Sequence, residues 1–181
     1  MYTEESFRGH LEAILPSCIE RAKNSKITDI IPNKYFSRAS SEVREMYIYG
    51  YYIGSIALSQ SLAEGLTKFI CERNKMVKYP KKDQLKRVEK LLSNKIITNE
   101  ISNAFIEIEK CRNDFIHMNK NIETNIKLLE ENAKNNIENL FKIEEYIFGH
   151  DIKKGKISPK NPAYWDVDAN GNVEVFLRIS L

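Results

Sequence analysis

The chain has 181 residues, 42% of them hydrophobic, and its 28 Lys and Arg against 25 Asp and Glu leave a net charge of +3. That much apolar material excludes disorder as a description of the whole, and the length favours one domain over two. Cys18, Cys71 and Cys111 contain no Cys-x-x-Cys pair and leave one over, which argues against a disulfide scaffold or a structural zinc site and for a reducing compartment.

Apolar residues recur at helical spacing over most of the chain. A first helix is predicted from about Thr3 to Asn24, with Pro16 expected to kink or divide it. After a loop containing Ile31 and Pro32, one long helix is predicted from about Ser40 to Asn74, capped by Ser40 or Ser41. On its wheel Gly50, Gly54, Ala57, Ser61, Glu64 and Gly65 share about a third of the circumference, a small-residue groove for a neighbouring helix. Glu64 stands out there, because an acid bordering the core needs a partner, and an arginine suits it. A short helix follows from about Asp83 to Ser93, another from about Thr98 to Met118, and a last long one from about Asn121 to Phe148, ended by Gly149. Between Tyr164 and Leu177, Asn170-Gly171 separates two β-branched and aromatic runs, a hairpin signal. The expected fold is all-α, an up-and-down bundle of four to five helices over residues 1–150, with residues 151–181 as an extension carrying a small β-hairpin. No basic segment followed by an apolar run opens the chain, and the apolar stretch Tyr47–Leu58 falls short of the roughly 20 residues that span a bilayer. A soluble, cytoplasmic protein with no membrane partner is therefore expected.

The net charge conceals an uneven distribution. Residues 73–90 hold eight basic side chains and two acidic ones, a local +6, so the remainder of the chain sums to −3. Clustered cations of this kind displace the counterions of a phosphate backbone, which makes Lys81, Lys82, Lys86 and Arg87 candidate RNA contacts. A solvated loop and helix face is the plainer reading of the same run.

Several chemistries are absent. There is no Gly-x-Gly-x-x-Gly, no phosphate loop, no His-Glu-x-x-His and no Gly-x-Ser-x-Gly, and His10, His117 and His150 are too scattered for a metal cluster. No metal and no cofactor is expected. What remains is the run Cys111-Arg112-Asn113-Asp114-Phe115-Ile116-His117. Asn113 and His117 are four apart and share a helix face, while Arg112 borders the apolar face beside Phe105 and Ile108. A guanidinium, an amide and an imidazole together suit a phosphodiester: one neutralises its oxygens, one positions them and one moves protons near neutral pH. Structural roles are also open to these residues, Arg112 pairing with Glu109 and His117 meeting the helix dipole.

The order Arg112-Asn113-x-x-x-His117, near the end of a late bundle helix and before a final long one, resembles the R-x(4–6)-H signature of the HEPN superfamily over roughly Ser40–Phe148. The resemblance implies a metal-independent endoribonuclease of toxin–antitoxin, abortive-infection or other anti-phage systems. In such enzymes the substrate 2′-hydroxyl attacks the adjacent phosphate, leaving 2′,3′-cyclic phosphate and 5′-hydroxyl ends. Carried over, His117 is the general acid or base, Arg112 binds the scissile phosphate and Asn113 orients it. Glu64, chosen by wheel position, would align Arg112. Five residues of ideal helix turn Arg112 and His117 about 140° apart, so one straight helix does not aim both at one phosphate. HEPN ribonucleases are typically dimers whose motifs converge on a shared cleft, so a homodimer is expected, with RNA, and an antitoxin or other operon-encoded protein as further partners. The tyrosine that often follows the histidine by two residues in one toxin subgroup is Asn119 here. The alternative to an enzyme is a non-catalytic helical module that binds RNA, a nucleotide or a protein partner with the same residues.

Overall fold

The computed structural model describes residues 3–26, 28–116, 126–153, 155–170 and 172–178, with the side chains of 112–116 outside that description. Among the described residues the chain forms an all-α bundle of six helices with a small antiparallel β-hairpin after it.

Helix α1 spans Glu4–Asn24, with the Thr3 hydroxyl accepting the Ser6 N–H at its start. Pro16 lies inside it without dividing it. Proline removes the amide that would bond the Glu12 carbonyl, and both residues are exposed, so water can take that carbonyl. Two residues, Ile30–Ile31, form a short strand β1.

The predicted Ser40–Asn74 helix is two helices. Helix α2 starts earlier, at Lys34, and runs to Ile48, because the Asn33 side chain caps the Phe36 N–H at 3.1 Å. Helix α3 is Tyr52–Arg73. Gly50 sits between them at φ +83°, a conformation that costs a glycine little, and Tyr51 N–H donates to the Met46 carbonyl at 2.7 Å to close the turn. The chain then folds back, and α3 packs along α2. The small residues of α3 serve this approach: a Cβ on Gly54 would lie 3.1 Å from Met46 Sδ, and one on Gly65 3.3 Å from Phe36 Cε1.

Helix α4 is Gln84–Ser93, capped by Asp83, and α5 is Asn99–Ile116. Helix α6 spans Ile126–Phe148. Gly149 ends it for a steric reason, since a Cβ there would fall 2.2 Å from the Glu145 carbonyl oxygen. Helix α3 lies at the centre, against α2, α4, α5 and α6, and its Ile56, Leu66 and Ile70 meet Phe105 and Ile108 of α5 and Ile143 and Ile147 of α6 in one core. None of the described helices is long and apolar enough to cross a membrane.

The hairpin lies earlier than the Asn170-Gly171 signal. Strands β2 (His150–Lys153) and β3 (Lys156–Pro159) pair antiparallel, with Gly155 at φ +75° in the turn. Around Asn170, among the described residues, one bridge forms, Val167 with Val173, and the Asp168 carboxylate accepts the Asn170 and Asn172 N–H groups. The two flanking runs have other partners. Tyr164 and Trp165 are buried in the bundle core, and strand β4 (Phe176–Leu177) pairs with β1. One residue further, buried Arg178 forms a hydrogen-bonded ion pair with Glu144 of α6 and donates to Ser40 Oγ of α2 at 2.8 Å.

Candidate functional site

Helix α5 presents Ile101, Ala104, Phe105 and Ile108 to the core, which turns its last two turns toward the start of α6. There the Cys111 thiol lies 4.0 Å from Asn132 Oδ1. Arg112 and Asn113 follow on the same helix, with side chains outside the described residues, and His117 lies outside them altogether.

Beside this end of the bundle is a cleft of about 350 Å³ between α1 and α6, lined by Ser17, Glu20, Arg21 and Asn24 on one wall and Glu130, Glu131 and Lys134 on the other, with Tyr47 between them. Arg21 organises it. Its Nε donates to the Ile48 carbonyl at 2.8 Å, Nη1 donates to the Tyr52 hydroxyl at 3.1 Å and stands 3.6 Å from Glu130. The guanidinium also lies over the Tyr52 ring, 5.8 Å from its centre. This fork fixes the end of α2, the start of α3 and the first turns of α6 against α1.

Burial, followed by the hydrogen bond to the Glu130 carboxylate, pushes the Tyr52 phenol up to about 12. A folded value above the usual one near 10 means that the stability Tyr52 adds is full below pH 10 and is lost as pH rises through 12. Ultraviolet titration of wild type minus Tyr52→Phe should therefore show a single phenol with a midpoint near 12; a midpoint near 10 would mean that the phenol is neither desolvated nor bonded to Glu130.

The candidate RNA contacts separate into two kinds. Lys81, Lys82 and Lys86 are exposed, the last 3.0 Å from its cap residue Asp83. Arg87 is not on that surface, and the expectation for it is corrected: its side chain is 1% exposed. Arg87 Nε donates to Thr67 Oγ1 at 2.9 Å, Nη1 donates to the Pro80 and Lys82 carbonyls, and Nη2 lies 3.6 Å from Glu64. It therefore ties the loop before α4 to α3. The signal was legible, because Gln84, Arg87, Val88 and Leu91 fall on one stripe of α4, and all four are buried. Glu64, assigned to align Arg112, is 2.8 Å from Lys68 and 3.6 Å from the Arg87 guanidinium.

A functional difference follows. Neutralising Lys81, Lys82 and Lys86 together should leave the fold intact and, if all three touch phosphates of a single strand, lower the salt slope of RNA binding by about 2. Arg87→Ala should instead cost about 2 kcal/mol of stability, by orphaning the carbonyls and Thr67 that it now serves. Thermal melts beside filter binding at several salt concentrations separate the two outcomes.

Two of the four tyrosines at the α2–α3 junction, Tyr49 and Tyr51, are exposed, and Tyr47 and Tyr52 are buried. Asp166-x-Asp168-x-Asn170-Gly171 has the acid spacing of half a calcium loop. Asp166, however, accepts Arg73 through both oxygens at 2.7 Å, and Leu177 stands where the closing glutamate of such a loop would be. Among the described residues no group of three His, Cys, Asp or Glu is placed to hold a metal.

Among the described residues, fold and site thus define a helical-bundle protein with a basic segment that leads into α4 and with Arg112 and Asn113 on the last turns of α5. No family model, curated protein or solved structure matches the chain.

Proposed function

We propose that this protein is a metal-independent endoribonuclease of the HEPN type, cleaving RNA to 2′,3′-cyclic phosphate and 5′-hydroxyl ends as part of a toxin–antitoxin or anti-phage system in the cytoplasm. The observation that carries the reading is the placement of Arg112-Asn113 on the last turns of α5, next to α6, in an all-helical bundle, with His117 four residues after Asn113.

In this reading His117 moves the proton to or from the reacting hydroxyl, Arg112 stabilises the charge that develops on the phosphate, and Asn113 holds the phosphate in line. No step needs a metal, because the nucleophile is the substrate's own 2′-hydroxyl. The leaving 5′-oxygen takes a proton, so cutting requires a group that titrates near neutrality, and imidazole is the side chain that does so unassisted. Two chains act together, as a homodimer, so that Arg112 and His117, which an ideal helix would turn about 140° apart, serve a shared cleft. Lys81, Lys82 and Lys86 supply the phosphate-binding surface beside it.

The test is cleavage of single-stranded RNA by purified protein in excess EDTA. Fragments should carry cyclic phosphates, resistant to phosphatase until opened by acid. Cutting that EDTA abolishes, or ends bearing 3′-hydroxyls, would sink the mechanism. Binding of RNA with no cutting under any condition would favour a non-catalytic module.

A further inference from the structure

The cleft between α1 and α6 has no part in the proposed RNA chemistry. Its α1 wall is polar where a packed helix would be apolar: Ser17, Glu20 and Asn24 line it at helical spacing. The opening of about 350 Å³ is room for about ten waters or for a molecule of similar size.

Tyr47, between the two walls, is the least accommodated group. It is 3% exposed, and among the described residues no hydrogen bond reaches its hydroxyl. That oxygen is not sealed in the interior, and the cleft is what it faces. Burial first, and then the negative charge of Glu130, pushes the phenol up, so the hydroxyl stays neutral and is open to a donor. A buried polar group of this kind is costly until something in the cleft pairs with it.

The charges of the walls decide what that something is. Arg21 and Glu130 are taken, by each other and by Tyr52, and Lys134 stands 3.9 Å from Glu138. Glu20 on the α1 wall and Glu131 on the α6 wall are exposed and, among the described residues, in no ion pair. A cation is therefore favoured. A metal ion is not, since among the described residues no three acids are close enough to hold one. The chain as a whole stands at +3, so a cation held here is held by these two carboxylates and not by a general field.

We infer that the cleft binds a linear aliphatic diamine or triamine of about six to ten non-hydrogen atoms, with one ammonium at Glu20, another at Glu131, and an amine N–H donating to the Tyr47 hydroxyl oxygen. The methylenes lie along the stems of Arg21 and Lys134, which line the same cleft. Two separated acids match a cation with a charge at each end, and the buried hydroxyl between them meets a donor that a hydrocarbon chain lacks. The inference does not rest on the ribonuclease reading.

The test is a titration of the full chain, labelled with ¹⁵N, with putrescine and with spermidine in about 150 mM salt, followed by amide shifts. The shifts should fall on residues 17–24 and 130–134, with a dissociation constant of about 1 mM or below. Glu20→Gln with Glu131→Gln, at exposed positions, should leave melting unchanged and weaken binding at least tenfold. Tyr47→Phe keeps the ring and should weaken binding about threefold to tenfold. Butylamine, with a single ammonium, should bind at least tenfold more weakly than putrescine, and equimolar Mg²⁺ should not displace putrescine.

No shift at about 10 mM amine, or shifts centred elsewhere, overturns the site. So does a paired glutamine variant that binds as wild type, butylamine binding as tightly as putrescine, displacement by equimolar Mg²⁺, or a Tyr47→Phe variant that melts and binds as wild type does. RNA cutting on the same samples reports separately on the ribonuclease reading.

Discussion

Replacing Arg178 with alanine is expected to lower the unfolding free energy by about 3–5 kcal/mol, the range for removing one partner of a buried ion pair. The Arg178 and Glu144 side chains are 1% and 2% exposed, so deleting the guanidinium strands a carboxylate that water does not reach. Burial already pushes the Glu144 carboxyl above the usual range, against the pull of Arg178 and of its hydrogen bond to Ser40. The same substitution removes the donor to Ser40 Oγ and loosens the β4–β1 pairing beside it. Arg44, whose guanidinium is held below its ordinary value by burial and by Arg178, would rise toward that value once Arg178 is gone.

Urea melts at pH 7 test the expectation, read as a fall in midpoint at constant slope. A loss under about 1 kcal/mol would mean that the segment after α6 contributes little to the bundle. The double variant Glu144→Leu with Arg178→Met should recover much of the loss, because an apolar pair of similar volume leaves no charge stranded. Non-additivity of the two single changes would then measure the coupling directly.

His117→Ala is expected to reduce RNA cutting by about 10²–10⁴-fold, the usual contribution of a positioned acid or base. The variant should melt as wild type does and keep its RNA affinity, since in the proposed mechanism the histidine moves a proton and the lysines hold the strand. Arg112→Lys is the companion change: it keeps the charge but loses the planar fork that contacts two phosphate oxygens, so it should lower the cutting rate while leaving the salt slope of binding almost unchanged. If His117→Ala cuts at the wild-type rate, the run at the end of α5 has no acid–base role. RNA binding by Lys81, Lys82 and Lys86 without cutting would then be the reading to pursue.

Most helix boundaries were legible because their causes are local. Thr3 and Asp83 each cap a backbone N–H three residues on, and Gly149 stands where a side chain would strike the preceding turn. The break at Gly50 was missed for a matching reason: the apolar and small-residue pattern runs through it, and only the fold-back of α3 onto α2 sets its φ to +83°. Arg87 counted as a surface cation because a charge run is read along the chain, whereas burial is decided by which face of α4 meets α3. The Asn170-Gly171 signal predicted longer strands than the one described Val167–Val173 bridge, since Trp165 is drawn into the core and Phe176 pairs with Ile31.

By itself the sequence determined the helical class, most of the caps, the basic segment before α4 and the candidate chemistry of Arg112, Asn113 and His117. These depend on propensity, spacing and residue type within a few turns. Tertiary structure decided which charges are structural and which are free to meet a partner. It joined Arg178 to Glu144 and Ser40, 34 and 138 residues away, withdrew Arg87 from the surface, and left the apolar face of α1 open. The physical reason is that the cost of burying a charge, or of exposing an apolar row, is set by neighbours brought together from distant parts of the chain; the stripe of α4 hints at it for Arg87, and no local pattern carries it for Arg178 and Glu144.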